Sequence, residues 1–212
     1  MRDLTLPDPH RNPRVAVFCG AAAPTDAVYV SAAVAVGTHL AEHGVHVVYG
    51  GSRLGMMGAL ADSALAAGAQ VTGIIPRSLH VPRIVHPGLT TLVTVPDMTV
   101  RKARLLEGAD AILALPGGFG TLDELAAAWA SAAHQEHARP IGLLNTAGFY
   151  DPLLTFLNGA ATAGFLAHHP HLRLENLAVV DADPASLVDA LIARAAPPPA
   201  ACRTLASRQA ST

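Results

Sequence analysis

The stretch Ala111-Ile112-Leu113-Ala114-Leu115-Pro116-Gly117-Gly118-Phe119-Gly120-Thr121-Leu122-Asp123-Glu124 decides the fold. Its opening run is uniformly apolar and reads as a buried strand. Thr121 followed three residues later by Glu124 predicts a capping box that starts a helix running from Thr121 to about Ala138. The glycines between them therefore sit at a strand-to-helix corner. Glycine there lets backbone N–H groups approach an anion closely, and the free N–H groups of the new helix add partial positive charge. A capping box alone needs no ligand, but three glycines in front of it would loosen the corner without return, so a bound phosphate is the better reading.

Working outward, Val15–Cys19, Val45–Tyr49, Val71–Ile75, Leu89–Val95, Ile141–Leu144 and Ala178–Val180 repeat the strand pattern, with helical stretches between them. The alternation predicts an α/β domain built on a parallel sheet of about seven strands. Most of these strands are nearly continuous in apolar residues, as expected when helices cover both faces of a doubly wound sheet. Ligands bind such sheets beyond the carboxyl ends of the strands, which directs attention to the loops after Cys19, Tyr49, Val95 and Leu115. Residues 14–195 are expected to form one domain, with a flexible N-terminal arm at 1–13 and a disordered, Pro/Ala-rich tail at 196–212.

The chain of 212 residues carries 14 basic and 16 acidic side chains, is 51% hydrophobic and has a mean hydropathy of +0.36. No dense Lys/Arg run supplies the footprint that nucleic acid or an anionic membrane requires, so a small molecule is the expected partner. No apolar run reaches membrane-spanning length. With only Cys19 and Cys202, a disulfide framework is not implied, and a reducing, cytoplasmic compartment is expected. Arg11–Arg14 followed by Val15–Ala23 imitates a short signal peptide, but its apolar core ends in glycine and is needed as the first strand.

A second glycine corner, Tyr49-Gly50-Gly51-Ser52-Arg53-Leu54-Gly55-Met56-Met57-Gly58, again joins strand to helix. It lacks the G-x-G-x-x-G spacing, and the next strand ends Ile75-Pro76 with no acid for a ribose hydroxyl, which argues against NAD. Neither corner continues into the Gly-Lys-Ser/Thr of a Walker A loop. Asp97-Met98-Thr99-Val100-Arg101-Lys102 follows another strand, so its cations start from the same sheet edge. Arginine offers the bidentate recognition of phosphate that a backbone nest lacks, which favours a site role for Arg101 over an ordinary solvated turn. Lys102 is the single lysine of the chain, so a pyridoxal phosphate enzyme would have to form its Schiff base there, and nothing else suggests that cofactor. Among eleven histidines, His168-His169-Pro170-His171 lacks the i, i+4 spacing of a helical zinc pair and reads as a surface loop. No cofactor and no metal are expected at the site.

Val17-Phe18-Cys19-Gly20, Tyr49-Gly50-Gly51 with Gly55-Met56-Met57-Gly58, Arg101-Lys102 and the Pro116–Glu124 run together closely resemble the LONELY GUY (LOG) family, over about Val15 to Asp181. Pro140–Asn145 and Tyr150–Leu154 extend the likeness. The resemblance implies a Rossmann-like fold, a homodimer or larger assembly with the site near the subunit interface, and cleavage of cytokinin riboside 5'-monophosphates into free base and ribose 5-phosphate. It assigns Arg101 and Glu124 as catalytic. For substrate binding it points to Gly20, Gly50, Gly51, Met57, Lys102, Gly117, Gly118, Phe119, Gly120, Thr121 and Asp123. A carboxylate beside the anomeric carbon can stabilise an oxocarbenium-like ribose and deprotonate water, which suits Glu124. Arg101 would counter the phosphate charge or polarise the departing base. An apolar pocket wall could come from Met56, Met57 or Trp129, and the alanine-rich motif helix is placed to pack against another subunit.

Three positions depart from the family pattern. Ala21 and Ala22 follow Gly20 where serines are usual, Arg83 and Ile84 stand where a glutamate is expected before His86-Pro87-Gly88-Leu89, and Ala126, Ala127 and Ala130 replace bulkier or polar residues. They point to a shifted substrate preference, with plain AMP as an alternative substrate. They also support a rival reading, a nucleotide-binding or sensing module with little turnover.

Overall fold

A computed structural model describes residues 11–166 and 178–195. The strands are β1 (Arg14–Phe18), β2 (His46–Tyr49), β3 (Val71–Pro76), β4 (Thr91–Val95), β5 (Ala111–Ala114), β6 (Ile141–Leu144) and β7 (Val179–Asp181). Between them run α1 (Ala27–Glu42), α2 (Gly55–Ala66), α3 (Met98–Glu107), α4 (Phe119–Ala133) and α5 (Asp151–Thr162), and Pro184–Ala195 forms α6. The seven strands make one sheet in the order β4-β3-β2-β1-β5-β6-β7, every pair parallel. It is the doubly wound, Rossmann-like architecture expected from the alternation of apolar runs and helices.

One core cluster joins Val15, Val17, Val47 and Leu113 to Ala33, Val36 and Leu40 of α1, Leu60 and Ala64 of α2, and Leu187, Val188 and Leu191 of α6. The second joins Ala16, Phe18, Ile112 and Leu143 to Leu105 of α3, Leu125 and Ala128 of α4, and the flank of α5. Alternate residues of β1 thus face opposite layers, and both layers are apolar, which is why the strands show no polar alternation. Small residues let α1 lie close on α2: a Cβ on Gly37 would come within 2.5 Å of the Leu60 carbonyl.

Strand order reverses between β1 and β5. There the Gly20 N–H donates to the Pro116 carbonyl at 3.2 Å, and the Leu115 N–H donates to the Phe18 carbonyl at 2.9 Å. The buried Tyr150 hydroxyl donates to the Leu115 carbonyl at 2.7 Å, pinning the end of β5 before the glycine corner. The loop after β2 is fastened too. Gly55 has φ +54°, and a Cβ there would lie 2.3 Å from the Ala22 carbonyl oxygen. Gly55→Ala is therefore expected to lower stability by about 3 kcal/mol, combining left-handed strain with a backbone clash. Urea unfolding checks this, and an unchanged midpoint would mean that the loop after β1 is not seated on α2.

Two expectations need correction. The motif helix begins at Phe119, with Gly118 as its N-cap and no side-chain cap bond, so Thr121 starts no capping box. The chain turns earlier because Gly117 has no side chain: the Thr121 hydroxyl occupies that space, and a Cβ on Gly117 would sit 2.1 Å from it. The helix also ends at Ala133, and Gln135 beyond it adopts φ 58°. At the N-terminus, Arg11 belongs to the body and not to a free arm, since its guanidinium holds Asp110 through bonds of 2.9 and 2.6 Å. Residues 1–10, the His168–His171 segment, Cys202 and the tail from 196 lie outside the described residues.

Candidate functional site

A cavity of about 350 Å³ opens at the carboxyl ends of the strands, where β1 and β5 part. Its size suits a small-molecule ligand. A larger one, about 650 Å³, lies at the opposite strand ends among Arg11, Arg14, Asp110 and Arg139. The smaller is the better candidate, because it stands at the switch point and gathers the glycine corners around buried ionisable groups.

Arg101 and Glu124 form its floor. They come from α3 and α4, and α3 is started by Asp97, whose side chain accepts from the Val100 N–H at 2.9 Å. Arg101 is 6% exposed and Glu124 is 4% exposed, with Nη1 and Oε1 3.3 Å apart. The guanidinium is fixed from behind: Nε donates to the Ile74 carbonyl at 3.0 Å, and Nη1 also reaches Met98 Sδ at 3.8 Å. Gly50 gives it room, since a Cβ there would lie 2.0 Å from Nη2. That close approach explains the glycine of the second corner without any ligand. Burial pushes the Glu124 carboxyl up to about 7; Arg101 opposes the rise, Asp123 adds to it, and Lys102 opposes it. A carboxyl poised there can change protonation at neutral pH, as general acid–base work requires.

Gly20, Gly50, Met57, Gly118, Gly120 and Thr121 line the cavity with Arg101 and Glu124. The other residues singled out from sequence lie outside the lining. Gly51 sits behind the corner at φ +78°, so close to β3 that a Cβ on Gly73 would meet its Cα at 2.7 Å. Gly117 faces Thr121 and Gly20. Lys102 and Asp123 pair with each other at 2.9 Å, and Phe119 is 93% exposed. The N–H groups at the start of α4 remain available to an anion, because Gly118 offers no side-chain cap.

Of the residues named from sequence for an apolar wall, Met57 lines the cavity, but the rest of the wall was missed. It is built from Leu54, Ile75, Leu79 and Ile84, with Ala21 and Ala22 on the side of the first loop. Met56 is buried in the core and Trp129 packs within the other cluster, so neither lines the cavity. Leu79 and Ile84 belong to the connection between β3 and β4, which clips onto the second corner: the Arg53 N–H donates to the Ile84 carbonyl at 2.8 Å and the His86 N–H to the Gly51 carbonyl at 3.0 Å. Buried His86 is fixed in turn by Asp62 at 3.0 Å. The one available signal was that this connection leaves the carboxyl end of β3. Cys19 also lines the cavity, but burial and the neighbouring Glu124 carboxylate raise its thiol far above the ordinary range, with Arg101 opposing, so it is no nucleophile.

A protein-family model described as "Possible lysine decarboxylase" matches residues 57–191. Cytokinin riboside 5'-monophosphate phosphoribohydrolase LOG of Oryza sativa subsp. japonica is 42% identical over 154 residues, covering 73% of this chain and 64% of its own length. The corresponding LOG1 of Arabidopsis thaliana is 38% identical over 154 residues, 73% of this chain and 72% of that one. Among solved structures, the Moco carrier protein of Chlamydomonas reinhardtii superimposes with a TM-score of 0.65 at 23% identity, over 86% of this chain and 99% of that one. The molybdenum cofactor binding protein of Rippkaea orientalis gives 0.64 at 20% identity, over 87% and 98%. These two likenesses speak for the fold alone. The decarboxylase description finds no lysine at the cavity, since Lys102 is turned onto Asp123 outside its lining.

Proposed function

The chain belongs to the LOG family of cytokinin riboside 5'-monophosphate phosphoribohydrolases, and on that premise we propose that it hydrolyses the N-glycosidic bond of an N6-prenyladenosine 5'-monophosphate, or of AMP. The products are the free base and ribose 5-phosphate. The observation that carries this reading is the buried Arg101–Glu124 pair at the floor of a cavity between two glycine corners.

The phosphate is held at the start of α4, by the N–H groups that follow Gly118 and by the dipole of the helix. The ribose then lies over Glu124. The bond from C1' to the base nitrogen breaks, and its electron pair leaves with the base while positive charge grows on the ribose. Ionised Glu124 stabilises that charge and takes a proton from the water that adds to C1', and the departing nitrogen gains a proton, so one water is consumed. Arg101 keeps Glu124 ionised and in place. Its Nη2, on the side of Gly50, is the group that can reach the nucleotide.

Leu54, Leu79 and Ile84 offer an apolar surface where a prenyl group can bury itself. Isopentenyladenosine 5'-monophosphate is accordingly expected to be cleaved faster than AMP at equal, limiting concentration. Product chromatography checks this, and a preference for AMP would remove the prenyl assignment. The alanines at 21 and 22 favour the second reading, a binding module, because no hydroxyl from that loop meets the ligand.

A homodimer built on the α4–α5 side completes the proposal. Phe119 is 93% exposed, Phe156 69% and Phe165 82%, and Leu122, Ala126 and Ala130 extend an apolar stripe along α4. Large exposed apolar side chains on and beside both helices favour association on this side. Sedimentation is expected to give a dimer that Phe156→Asp dissociates; a monomeric parent protein would contradict it. No helix among the described residues is long and apolar enough to cross a membrane. The scarcity of cysteine supports a cytoplasmic location, which fractionation of cells would check.

A further inference from the structure

On the side of the sheet away from Arg101 and Glu124, α1 ends against α6, and there His39, His43 and Asp189 bring their ligating atoms within 4.8 Å of one another. His39 lies in the last turn of α1 and His43 caps its end, at the i, i+4 spacing that sets two imidazoles on one side. Asp189 comes from α6. Its Oδ1 lies 2.9 Å from His39 Nε2 and 3.2 Å from His43 Nε2. Edges of this length match a tetrahedral zinc site, where metal–nitrogen bonds of about 2.0–2.1 Å separate ligand atoms by about 3.3 Å.

The far side of each ring is engaged as in a metal site. His43 Nδ1 lies 3.0 Å from the His39 carbonyl, and His39 Nδ1 lies 3.1 Å from Glu42 Oε2. A carbonyl and a carboxylate can only accept, so each Nδ1 carries a proton. Both Nε2 atoms are thereby turned toward the same Asp189 oxygen, where an ion would take the place of the proton that His39 Nε2 donates to it. Ligating histidines are characteristically held in this way, with the other ring nitrogen donating to a carboxylate or a backbone carbonyl. The helices need no rearrangement to present the ligands, because Val36 and Leu40 of α1 and Leu187, Val188 and Leu191 of α6 already share one packed cluster. The group is partly exposed, so an ion can reach it from solvent.

We propose that His39, His43 and Asp189 form a binding site for a divalent transition metal of the zinc class, with Glu42 orienting His39, and that the ion fastens α6 to the end of α1. The remaining coordination position falls to water, and the site is structural, since Arg101 and Glu124 belong to the other face of the sheet. Zn2+ titrated calorimetrically into the full chain is expected to bind with one equivalent per chain and to raise the melting temperature. His43→Ala and Asp189→Asn are each expected to weaken that binding by at least about a hundredfold, more than the loss of a merely supporting group. Both residues are exposed enough that the variants fold, which circular dichroism verifies. Co2+ in place of Zn2+ is expected to show the d–d absorption of a tetrahedral nitrogen–oxygen site in the parent protein and not in the variants. Replacement of His168, His169 and His171 together is expected to leave the equivalent intact. The assignment is overturned if Zn2+ does not bind, if both variants keep it, or if it disappears with His168–His171.

Discussion

Glu124→Gln is expected to lower kcat by about three orders of magnitude, or about 4 kcal/mol of transition-state stabilisation, while nucleotide binding survives. The amide keeps the shape of the side chain and can still accept from Arg101, but it supplies neither negative charge for the ribose nor a base for water. Folding is expected to be at least as robust as in the parent protein. The Glu124 carboxyl titrates near 7 in the folded chain, above its ordinary value of 4.5, so folding takes up a proton between those pH values. Its contribution to stability is therefore complete at low pH, falls as pH rises toward 7 and is lost above it. Glutamine has no such dependence. At pH 8 the variant should melt no lower than its parent. In the parent enzyme kcat/KM is expected to rise with pH through an acid limb near 7, as ionised Glu124 becomes populated. Glu124→Asp separates charge from position, because it keeps the carboxylate but withdraws it. A loss of about a hundredfold is expected there, the scale of a displacement of about 1 Å. Full activity in Glu124→Gln would remove the residue from the mechanism.

Arg101→Met should damage both stability and turnover. The variant leaves Glu124 buried without its cation, and removing one partner of such a pair costs about 3 kcal/mol or more. Arg101 holds the Glu124 carboxyl down against the larger effect of burial, so its loss moves that carboxyl higher still. Below pH 7 the carboxyl is neutral in both proteins, and the stability difference should be small. Above pH 7 the parent's Glu124 is ionised and its stability levels off, whereas that of the variant keeps falling until its own carboxyl has ionised. Urea unfolding at pH 6 and pH 8 reads this directly, with the larger gap expected at pH 8. Turnover at pH 7 is expected to fall at least about a hundredfold, because the base is protonated and Nη2 no longer meets the nucleotide. A double variant, Arg101→Met with Glu124→Gln, should recover stability at pH 8 without recovering activity. Equal gaps at the two pH values would mean that Glu124 is not the group Arg101 serves.

The inner strands were legible because each is a largely apolar run, as a sheet covered on both faces requires, whereas the edge strand β4 leaves Thr91 to Thr94 exposed and was legible by its β-branched residues. The β4 boundary was misread because Leu89 looks like strand. It instead fills the space beside Gly73, where a Cβ would meet it at 2.5 Å, and Thr90 spends its hydroxyl on the Val71 N–H at 3.0 Å. Glycine carries two meanings that sequence does not separate. Gly118 and Gly120 line the cavity, whereas Gly51 and Gly117 are small because backbone or a neighbouring side chain lies against them. Thr121 was misread for a related reason: a Thr-x-x-Glu spacing describes a cap only if the helix starts at the threonine, and a side-chain-free corner starts it earlier.

Arg101 and Glu124 were recognisable as residues, but their pairing depends on how α3 and α4 lean together over β3 and β1. Leu54, Leu79 and Ile84 carried no signal, since an aliphatic residue in a loop looks the same whether it lines a cavity or covers a core. His39 and His43 had the right spacing and were hidden among eleven histidines, and the carboxylate that completes the group is distant in sequence.

The central claim is that the Arg101–Glu124 cavity cleaves a nucleotide and does not merely hold it. Purified protein incubated with isopentenyladenosine 5'-monophosphate, with base and sugar phosphate both quantified by chromatography, tests it most directly. One free base and one ribose 5-phosphate are expected for each nucleotide consumed, with both disappearing in Glu124→Gln. Nucleotide bound at one per site and recovered intact after many hours would contradict it.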